Sequence, residues 1–202
     1  MAKTIAIVDY GVGNLLSVQN ALAYIGQQSV ITADAAALRQ ADGIILPGVG
    51  AFADAAERLQ QSGLVDTIRA MVETRPLLGI CLGMQLLFDG SEEGRSMAGL
   101  GLISGRVKLI QTEEKLPQIG WNALEIQENT KLFRDINQGD YVYFVHSYHC
   151  SPTNQADIAA TCDYGTAVCA AVQQGNCFGT QFHPEKSGDS GLQILKNFGA
   201  LL

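Results

Sequence analysis

Residues 77–88 read LLGICLGMQLLF. An apolar run typical of a buried strand leads directly into Gly-x-Cys-x-Gly, and a helical stretch follows from Leu82 to Phe88. This order predicts a nucleophile elbow, a tight turn that glycines permit and that places Cys81 at the strand tip and the helix start. The helix dipole there favours a thiolate, and the N–H of Leu82 points to where an oxyanion forms. The competing interpretation is a buried core cysteine beside packing glycines.

The elbow belongs to a regular alternation of strand and helix signals over residues 1–90. Short apolar runs predict strands at 4–8, 29–32, 43–46 and 77–80. Helices are expected at 15–25, 34–40 and 52–73, with Asn14 and Asp34 as caps and an interruption near Gly63. Such alternation is typical of an α/β fold with a mostly parallel central sheet flanked by helices.

Beyond residue 90 the pattern changes to short strands separated by turn residues. These strands are predicted at 102–110, 122–127, 141–148, 157–163, 167–173 and 176–182. Their spacing indicates an antiparallel β extension, and a last helix is expected at 188–201. The pattern does not decide whether the extension is a subdomain or continues the central sheet. At this length we expect a single domain over 1–202.

The composition excludes several classes of protein. The 202 residues have a formal net charge of −7, which argues against the basic surface that nucleic-acid binding needs. A hydrophobic content of 47% argues against a disordered chain. The five cysteines lack C-x-x-C spacing, which indicates reduced thiols. Neither a signal peptide nor a membrane span is evident, so we expect a cytoplasmic protein.

A cysteine nucleophile needs a proton relay, and only His146, His149 and His183 are available. His183 lies at the end of a predicted strand, in the stretch QFHPEKS. Residues i and i+2 of an extended chain share a face, so Glu185 can orient the imidazole, with Pro184 stiffening the link. Taken alone, His-Pro-Glu equally fits a surface turn, and the elbow is what favours catalysis.

A glycine-rich loop, Pro47-Gly48-Val49-Gly50, follows the third predicted strand. In a parallel sheet this loop lies at the same edge as Cys81, where its backbone can present a second N–H to an oxyanion. Taken alone, the stretch is typical of an ordinary strand-ending turn.

Two other patterns are discounted. Gly11-Val12-Gly13 is like the start of a dinucleotide fingerprint, but position 16 is leucine and no suitable acidic residue ends the second strand. His146, His149 and Cys150 lack zinc-ligand spacing, because positions 146 and 149 face opposite ways on a strand. We therefore expect neither a cofactor nor a metal.

These motifs together resemble the class I, or triad, glutamine amidotransferases. Residues 79–85 and 182–185 are similar to the family's two signatures, in its order. Further stretches narrow the likeness to glutaminase subunits of imidazole glycerol phosphate synthases: DYGVGNL at 9–15, PGVG at 47–50, GWN at 120–122 and FVHSY at 144–148. The likeness spans essentially the whole chain and implies a flavodoxin-like core. Gln118-Ile119 departs from it, since relatives often carry His-Met there.

The resemblance implies the chemistry of a glutaminase. Cys81 attacks the side-chain amide of glutamine, His183 protonates the departing ammonia and then activates water, and Glu185 orients His183. The resemblance assigns oxyanion N–H groups to Leu82, Val49 and Gly50. It assigns glutamine binding to Gly50, Gln85, Glu93, His146, Ser147 and Tyr148.

The resemblance also implies a partner. Ammonia is mostly protonated and unreactive in neutral water, so a second catalytic surface must close over the site. In the family this partner is a (β/α)8-barrel cyclase, which forms a heterodimer with the glutaminase and makes imidazole glycerol phosphate in histidine biosynthesis. The predicted interface residues are Gly120, Trp121 and Asn122, with the single tryptophan as anchor. The alternative for Trp121 is a place in the core.

Three alternatives to this function stay open. The first is the amidotransferase subunit of another synthase, of the anthranilate or aminodeoxychorismate type, which residues 10–15 and 120–122 disfavour. The second is a catalytically inactive interaction module on the same fold, which the intact Cys81, His183 and Glu185 disfavour. The third is a related cysteine hydrolase, such as a peptidase, which the 48–50 loop and Gln85 disfavour.

Overall fold

Strands and helices alternate along the first part of the chain, and strands dominate the second. The computed structural model describes residues 3–128 and 130–202. The strands are β1 Thr4–Val8, β2 Gln28–Thr32, β3 Gly43–Gly48, β4 Leu77–Cys81, β5 Gly90–Ser91, β6 Gly105–Leu109, β7 Gln118–Ala123, β8 Glu125–Ile126, β9 Tyr141–His146, β10 Tyr148–Pro152, β11 Ile158–Asp163, β12 Ala167–Gln174 and β13 Cys177–Thr180. The helices are α1 Leu15–Tyr24, α2 Ala35–Gln40, α3 Phe52–Gln61, α4 Val65–Val72, α5 Leu82–Gln85 and α6 Gly188–Gly199.

Within the described residues the central sheet has eight strands, in the order β2-β1-β3-β4-β13-β12-β11-β8. The five strands from β2 to β13 pair in parallel, and β12, β11 and β8 continue the sheet with antiparallel pairs. The prediction of a mostly parallel sheet with an antiparallel extension is confirmed. Gly48, the last residue of β3, lies directly beside Cys81, the last residue of β4. The glycine-rich loop and the elbow therefore meet at one edge of the sheet, as the alternation predicts.

The β-rich part both continues the central sheet and forms two small sheets, β10-β6-β5 and β7-β9. This settles the question that the pattern left open. The prediction of one strand over 141–148 is wrong, because β9 pairs with β7 whereas β10 pairs with β6. The chain changes sheets at Ser147, whose carbonyl accepts a hydrogen bond from the N–H of Ile110.

Local signals locate most of the helices correctly. The side chain of Asp34 caps α2 by accepting from the N–H groups of Ala36 and Ala37, as predicted. Gly63, at φ +72°, separates α3 from α4 at the predicted interruption. Asn14 occupies the N-cap position of α1, as predicted, but within the described chain its side chain makes no capping hydrogen bond to the helix.

Helix α5 ends at Gln85, three residues earlier than the apolar pattern predicts. The carbonyls of Leu86 and Leu87 do not continue the helix. They accept hydrogen bonds from the backbone N–H groups of residues 100, 102 and 103. A long-range contact therefore ends the helix at a point that no local signal marks.

The core lies on both faces of the central sheet. Along β1 the side chains alternate: Ala6 and Val8 pack on one face with helices α2 to α4, and Ile5 and Ile7 pack on the other with α1 and α6. This buries the strand on both sides, as is usual for parallel sheets. None of the helices among the described residues has the length and apolar character that crossing a bilayer requires.

Candidate active site

The elbow forces Cys81 into a backbone conformation that is unusual for a residue with a side chain. Its φ of 54° and ψ of −112° lie outside the ordinary allowed regions. The turn closes because the flanking glycines have no Cβ: one added at Gly83 would lie 1.7 Å from the carbonyl oxygen of Leu46. One added at Gly79 would lie 2.6 Å from the carbonyl oxygen of Gly83. Both glycines are therefore required by close backbone approach, and Cys81 stands at the tip of β4.

His183 and Glu185 form a buried pair beside the cysteine. The Nδ1 atom of His183 lies 2.8 Å from Oε1 of Glu185, and both side chains are almost fully buried. Burial lowers the pKa of His183, but its interactions with Cys81 and Glu185 outweigh burial and raise the pKa to about 9. Because Nδ1 faces Glu185, Nε2 is the ring nitrogen available to the Cys81 sulfur.

The link between His183 and Glu185 differs from the predicted geometry. His183 is extended, but Pro184 to Lys186 form a turn of 3-10 helix, so the carboxylate folds back onto the imidazole. The hydroxyl of Ser187 secures this turn by donating to the carbonyl oxygen of His183 at 2.6 Å. The two residues meet as predicted, but a turn joins them and not a continuous strand.

The glycine-rich loop lies against the elbow. A Cβ added at Gly48 would lie 2.9 Å from the nitrogen of Gly83, so the backbones touch here as well. The Tyr10 hydroxyl anchors the loop by donating to the carbonyl oxygen of Pro47 at 2.9 Å, and burial raises the pKa of this phenol. Gly50 has φ +94°, a conformation that favours glycine.

A pocket of about 210 Å³ brings most of the predicted site residues together. It is lined by Val49, Gly50, Cys81, Leu82, Gln85, Glu93, Val145, His146, Tyr148 and His183. Ser147 is not among the lining residues, and Val145 lines the pocket although the sequence pattern does not single it out. A larger pocket of about 730 Å³ lies beside α6, but its lining contains neither cysteine nor histidine.

Glu93 joins the pocket to helix α3. Its Oε2 atom accepts a hydrogen bond from the N–H of Phe52 at 2.9 Å, at the first residue of α3 and two residues after Gly50. This contact holds a carboxylate next to the 48–50 loop at the side of the pocket, and it leaves Oε1 for a positively charged ligand group.

Hydrogen bonds connect Gln85 to Cys81. Its Nε2 atom donates to the carbonyl oxygen of Tyr148 at 3.0 Å and to Oε1 of Gln181 at 3.1 Å. Gln181 in turn donates from Nε2 to the sulfur of Cys81 at 3.7 Å. The sequence analysis missed Gln181, although its position two residues before His183, in the strand predicted at 176–182, was an available signal.

His146 is a neutral imidazole in this site. Its Nδ1 atom lies 2.8 Å from the carbonyl oxygen of Tyr148 and so donates to it. Burial lowers the pKa of His146 to about 4, with smaller contributions from His149 and His183, although the hydrogen bond to Tyr148 opposes the shift. Its Nε2 atom has no hydrogen-bond partner among the described residues.

The predicted interface residues lie on β7, next to this pocket. Trp121 is 52% exposed and packs edge-on against Tyr143, with ring centroids 6.1 Å apart, so the alternative of a core tryptophan is wrong. The side chain of Asn122 is hydrogen-bonded within its own chain, because its Nδ2 donates to the carbonyl oxygen of Asp163 at 3.1 Å. The side chains that share the exposed side with Trp121, here called the outer face of the β7–β9 sheet, are Ile119, Tyr141, Tyr143 and Val145.

The other cysteines differ from Cys81 in their surroundings. Burial raises the pKa of Cys162 to about 11 and those of Cys169 and Cys177 to about 12, and it raises the pKa of Cys150 as well. None of these four thiols lines the pocket around Cys81. Within residues 3–128 and 130–202, no group of three or more His, Cys, Asp or Glu side chains could hold a metal ion.

Comparison with known proteins gives consistent matches. The model of the family described as "Glutamine amidotransferase class-I" matches residues 6–201. The protein named "Imidazole glycerol phosphate synthase subunit HisH" in Moorella thermoacetica is 51% identical, over 99% of this chain and 96% of the relative. The protein of the same name in Oceanobacillus iheyensis is 47% identical, over 98% and 99%.

Solved structures show the same fold at lower identity. PurLQS from Thermotoga maritima has a TM-score of 0.78 at 20% identity and covers 98% of each chain. A glutamine amidotransferase from the same organism has a TM-score of 0.66 at 15% identity, over 98% of this chain and 83% of the other.

Proposed function

Because the chain belongs to the class I glutamine amidotransferases, we propose that it is the glutaminase subunit of an imidazole glycerol phosphate synthase. It hydrolyses glutamine to glutamate and ammonia, and it supplies the ammonia to a cyclase. The observation that carries the proposal is the buried His183–Glu185 pair beside a cysteine held at the tip of an elbow. The relatives of 46% to 51% identity, each matched over nearly its whole length, identify the synthase.

The first half-reaction forms a glutamyl thioester. A pKa of about 9 keeps His183 protonated at neutral pH, and in this proposal the attacking form of Cys81 beside it is the thiolate. The thiolate attacks the carboxamide carbon, and a carbon–sulfur bond forms as the carbonyl oxygen becomes an oxyanion. His183 then gives its proton to the departing nitrogen, the carbon–nitrogen bond breaks, and ammonia leaves.

The second half-reaction restores the enzyme. Neutral His183 takes a proton from water, and the resulting hydroxide attacks the thioester carbon. The carbon–sulfur bond breaks, glutamate leaves, and the thiolate–imidazolium pair forms again. Glu185 accepts a hydrogen bond from Nδ1 of His183 throughout, which holds the tautomer and stabilises the imidazolium.

In this proposal, two backbone segments that touch in the structure stabilise the oxyanion. Leu82 begins α5, so its N–H has no partner within the helix. The 48–50 loop lies beside it, because Gly48 pairs with Cys81 in the sheet. In this proposal Leu82, Val49 and Gly50 supply the N–H groups for the oxyanion.

Glutamine itself fits the pocket by charge and by hydrogen-bonding groups. The free oxygen of Glu93 suits the substrate's α-ammonium group. Gln85 and the backbone at 146–148 are joined through the Tyr148 carbonyl, so they can act as one wall of the site. Gly50 allows the substrate to approach the backbone closely.

The partner in this proposal is a (β/α)8-barrel cyclase, and the outer face of the β7–β9 sheet is its docking surface. Val145 belongs both to this face and to the lining of the pocket, so a protein bound there covers the mouth of the site. Exposed aromatic side chains such as Trp121 and Tyr141 are enriched at protein interfaces. A covered mouth keeps ammonia from being protonated by solvent before it reaches the cyclase.

Reconstitution tests the proposal. The chain is mixed with a barrel cyclase and the cyclase's nucleotide substrate, and imidazole glycerol phosphate is measured with glutamine as the nitrogen source. We expect product only when both proteins are present. The parallel mixture contains the synthase component of anthranilate synthase with chorismate, and glutamine-dependent anthranilate in that mixture would overturn the assignment.

A further inference from the structure

A line of hydrogen bonds runs from the junction of β9 and β10 to the sulfur of the predicted nucleophile. Its last member, Gln181, is fully buried and follows β13 directly. Gln181 and His183 are two residues apart, in the segment directly after β13, and both side chains reach Cys81. Two groups from one stretch therefore approach one sulfur: an amide at 3.7 Å and the imidazole.

The surroundings of Gln181 settle which end of its amide faces the sulfur. Its Oε1 accepts from Nε2 of Gln85 at 3.1 Å, and the second donor of that Nε2 goes to the carbonyl oxygen of Tyr148. That carbonyl also accepts from Nδ1 of His146. A reversed Gln181 amide would put two NH2 groups together and an oxygen against the sulfur, so the N–H must point to Cys81.

The chemistry of an amide suits this position. A buried thiolate has lost the water that would stabilise its charge, and Cys81 is only 7% exposed. A hydrogen-bond donor compensates a charged acceptor far more than a neutral one, so an N–H favours the thiolate over the thiol. An amide cannot take the thiol proton, so it does not compete with His183 as the base.

We propose that Gln181 is a positioning residue, which stabilises the Cys81 thiolate and directs its sulfur into the pocket through the Gln85–Gln181–Cys81 line. The inference rests on the proposed function, because the thiolate it stabilises is the nucleophile of that function. It also explains why Gln85 is bound to the backbone of residue 148: this contact holds the amide that faces the sulfur.

The test measures how fast iodoacetamide alkylates Cys81 in the full chain between pH 5 and 10, by mass spectrometry of the peptide containing Cys81. Gln181→Met keeps a buried side chain of similar size and removes the donor. We expect alkylation at pH 7 to slow by about 10- to 100-fold, as for the loss of a hydrogen bond to a charged group. The rate-against-pH curve should move to higher pH by about one unit or more.

Gln181→Glu provides a second variant in case Gln181→Met does not fold. A carboxylate beside the sulfur opposes a second negative charge, so its curve should move at least as far to higher pH. Thermal unfolding of each variant shows whether the chain is folded. A curve that stays at the wild-type position in the folded variants overturns the proposal.

The chain offers a matched control in Gln118→Met. Gln118 is also fully buried, and its Nε2 donates both to a different cysteine, Cys162, at 3.6 Å and to Oδ1 of Asn122 at 3.0 Å. This substitution removes a comparable hydrogen bond without touching Cys81, so the Cys81 curve should not move. An equal displacement in Gln118→Met would show general loosening of the fold and would also overturn the proposal.

Alkylation separates this inference from the proposed function, because it needs neither glutamine nor a partner. A chain that fails in reconstitution but shows the curve displaced by Gln181→Met contradicts the function and retains the positioning role. A chain that succeeds in reconstitution but shows an undisplaced curve contradicts the positioning role alone.

Discussion

The edge of the parallel sheet around Cys81 and the outer face of the β7–β9 sheet border the same pocket, but they are built in opposite ways. Around Cys81 the backbones touch, the glycines have no room for a Cβ, and His183 and Glu185 are buried. On the outer face, Ile119, Trp121 and Tyr141 are more than half exposed. The first region is held together by contacts within the chain, whereas the second has apolar surface that none of the described residues covers.

This contrast shows where each part of the proposed activity lies. Chemistry needs groups held within fractions of an ångström, and buried contacts between neighbouring strands provide that. Transfer of ammonia needs a surface that a second protein can seal, and an exposed apolar face beside the pocket provides that. Val145 links the two regions, since it belongs to the outer face and also lines the pocket.

Removing the proposed nucleophile is the strongest test of the buried region. In a complex with the cyclase, Cys81→Ala should reduce glutamine-dependent synthesis by about 1,000-fold or more, because no other thiol lines the described pocket. Synthesis from added ammonium should continue, because the outer face is unchanged. Both rates are measured on the same preparation, and loss of both together would show that the two regions do not divide the work.

Gly83→Ala tests the close contacts that make the elbow. Its Cβ would lie 1.7 Å from the carbonyl oxygen of Leu46, so the backbone must move. We expect the free energy of unfolding to fall by about 3 kcal/mol or more. The control is Gly26→Ala, at φ +78° with no atom within 4 Å of the added Cβ, which should cost only about 1–2 kcal/mol. Equal losses in urea denaturation would contradict the special role of Gly83.

The buried histidine makes stability depend on pH. The pKa of His183 is about 9 in the folded chain, above its ordinary value of 6.5, so the folded state binds this proton more tightly. The resulting stabilisation is complete below pH 6.5 and is lost as the pH rises through about 9. Between pH 6 and pH 10, the free energy of unfolding should therefore fall by up to about 3 kcal/mol more in the wild type than in His183→Asn.

Chemical denaturation at each pH provides the comparison for His183. The control is His149→Asn, a histidine whose pKa is lowered by burial and by Lys108, which should not reduce the alkaline loss of stability. Stability curves of wild type and His183→Asn that run parallel from pH 6 to 10 would contradict the raised pKa.

Trp121→Ala tests the outer face and should have the smallest effect on the chain itself. Its affinity for the cyclase should fall about 30-fold, which corresponds to about 2 kcal/mol for an aromatic anchor. The stability of the isolated chain should change by less than about 1 kcal/mol, because the side chain is 52% exposed. Tyr24→Ala, at an 81% exposed residue on α1, is the matched control for binding. Equal affinities of the two variants would remove Trp121 from the proposed interface.

Much of the fold was predictable because its signals are local. The strand before Cys81, the break at Gly63 and the cap at Asp34 each depend on a few neighbouring residues. The failures depend on distant contacts. Helix α5 stops at Gln85 because residues 100–103 bind the next carbonyls, and the chain turns at Ser147 because β9 and β10 pair with different strands.

The sequence by itself determined which groups are available for chemistry: a cysteine between glycines at a strand end, and a histidine with a carboxylate two residues later. Hydrophobic periodicity and turn residues within a short span of chain are enough to indicate these features. Only the tertiary structure decided that Gly48 is the exact register partner of Cys81 at the predicted sheet edge, that the Gln181 amide faces the sulfur, and that Trp121 is exposed. These facts depend on strand register and on packing between segments up to about 100 residues apart, which no local pattern of residue types encodes.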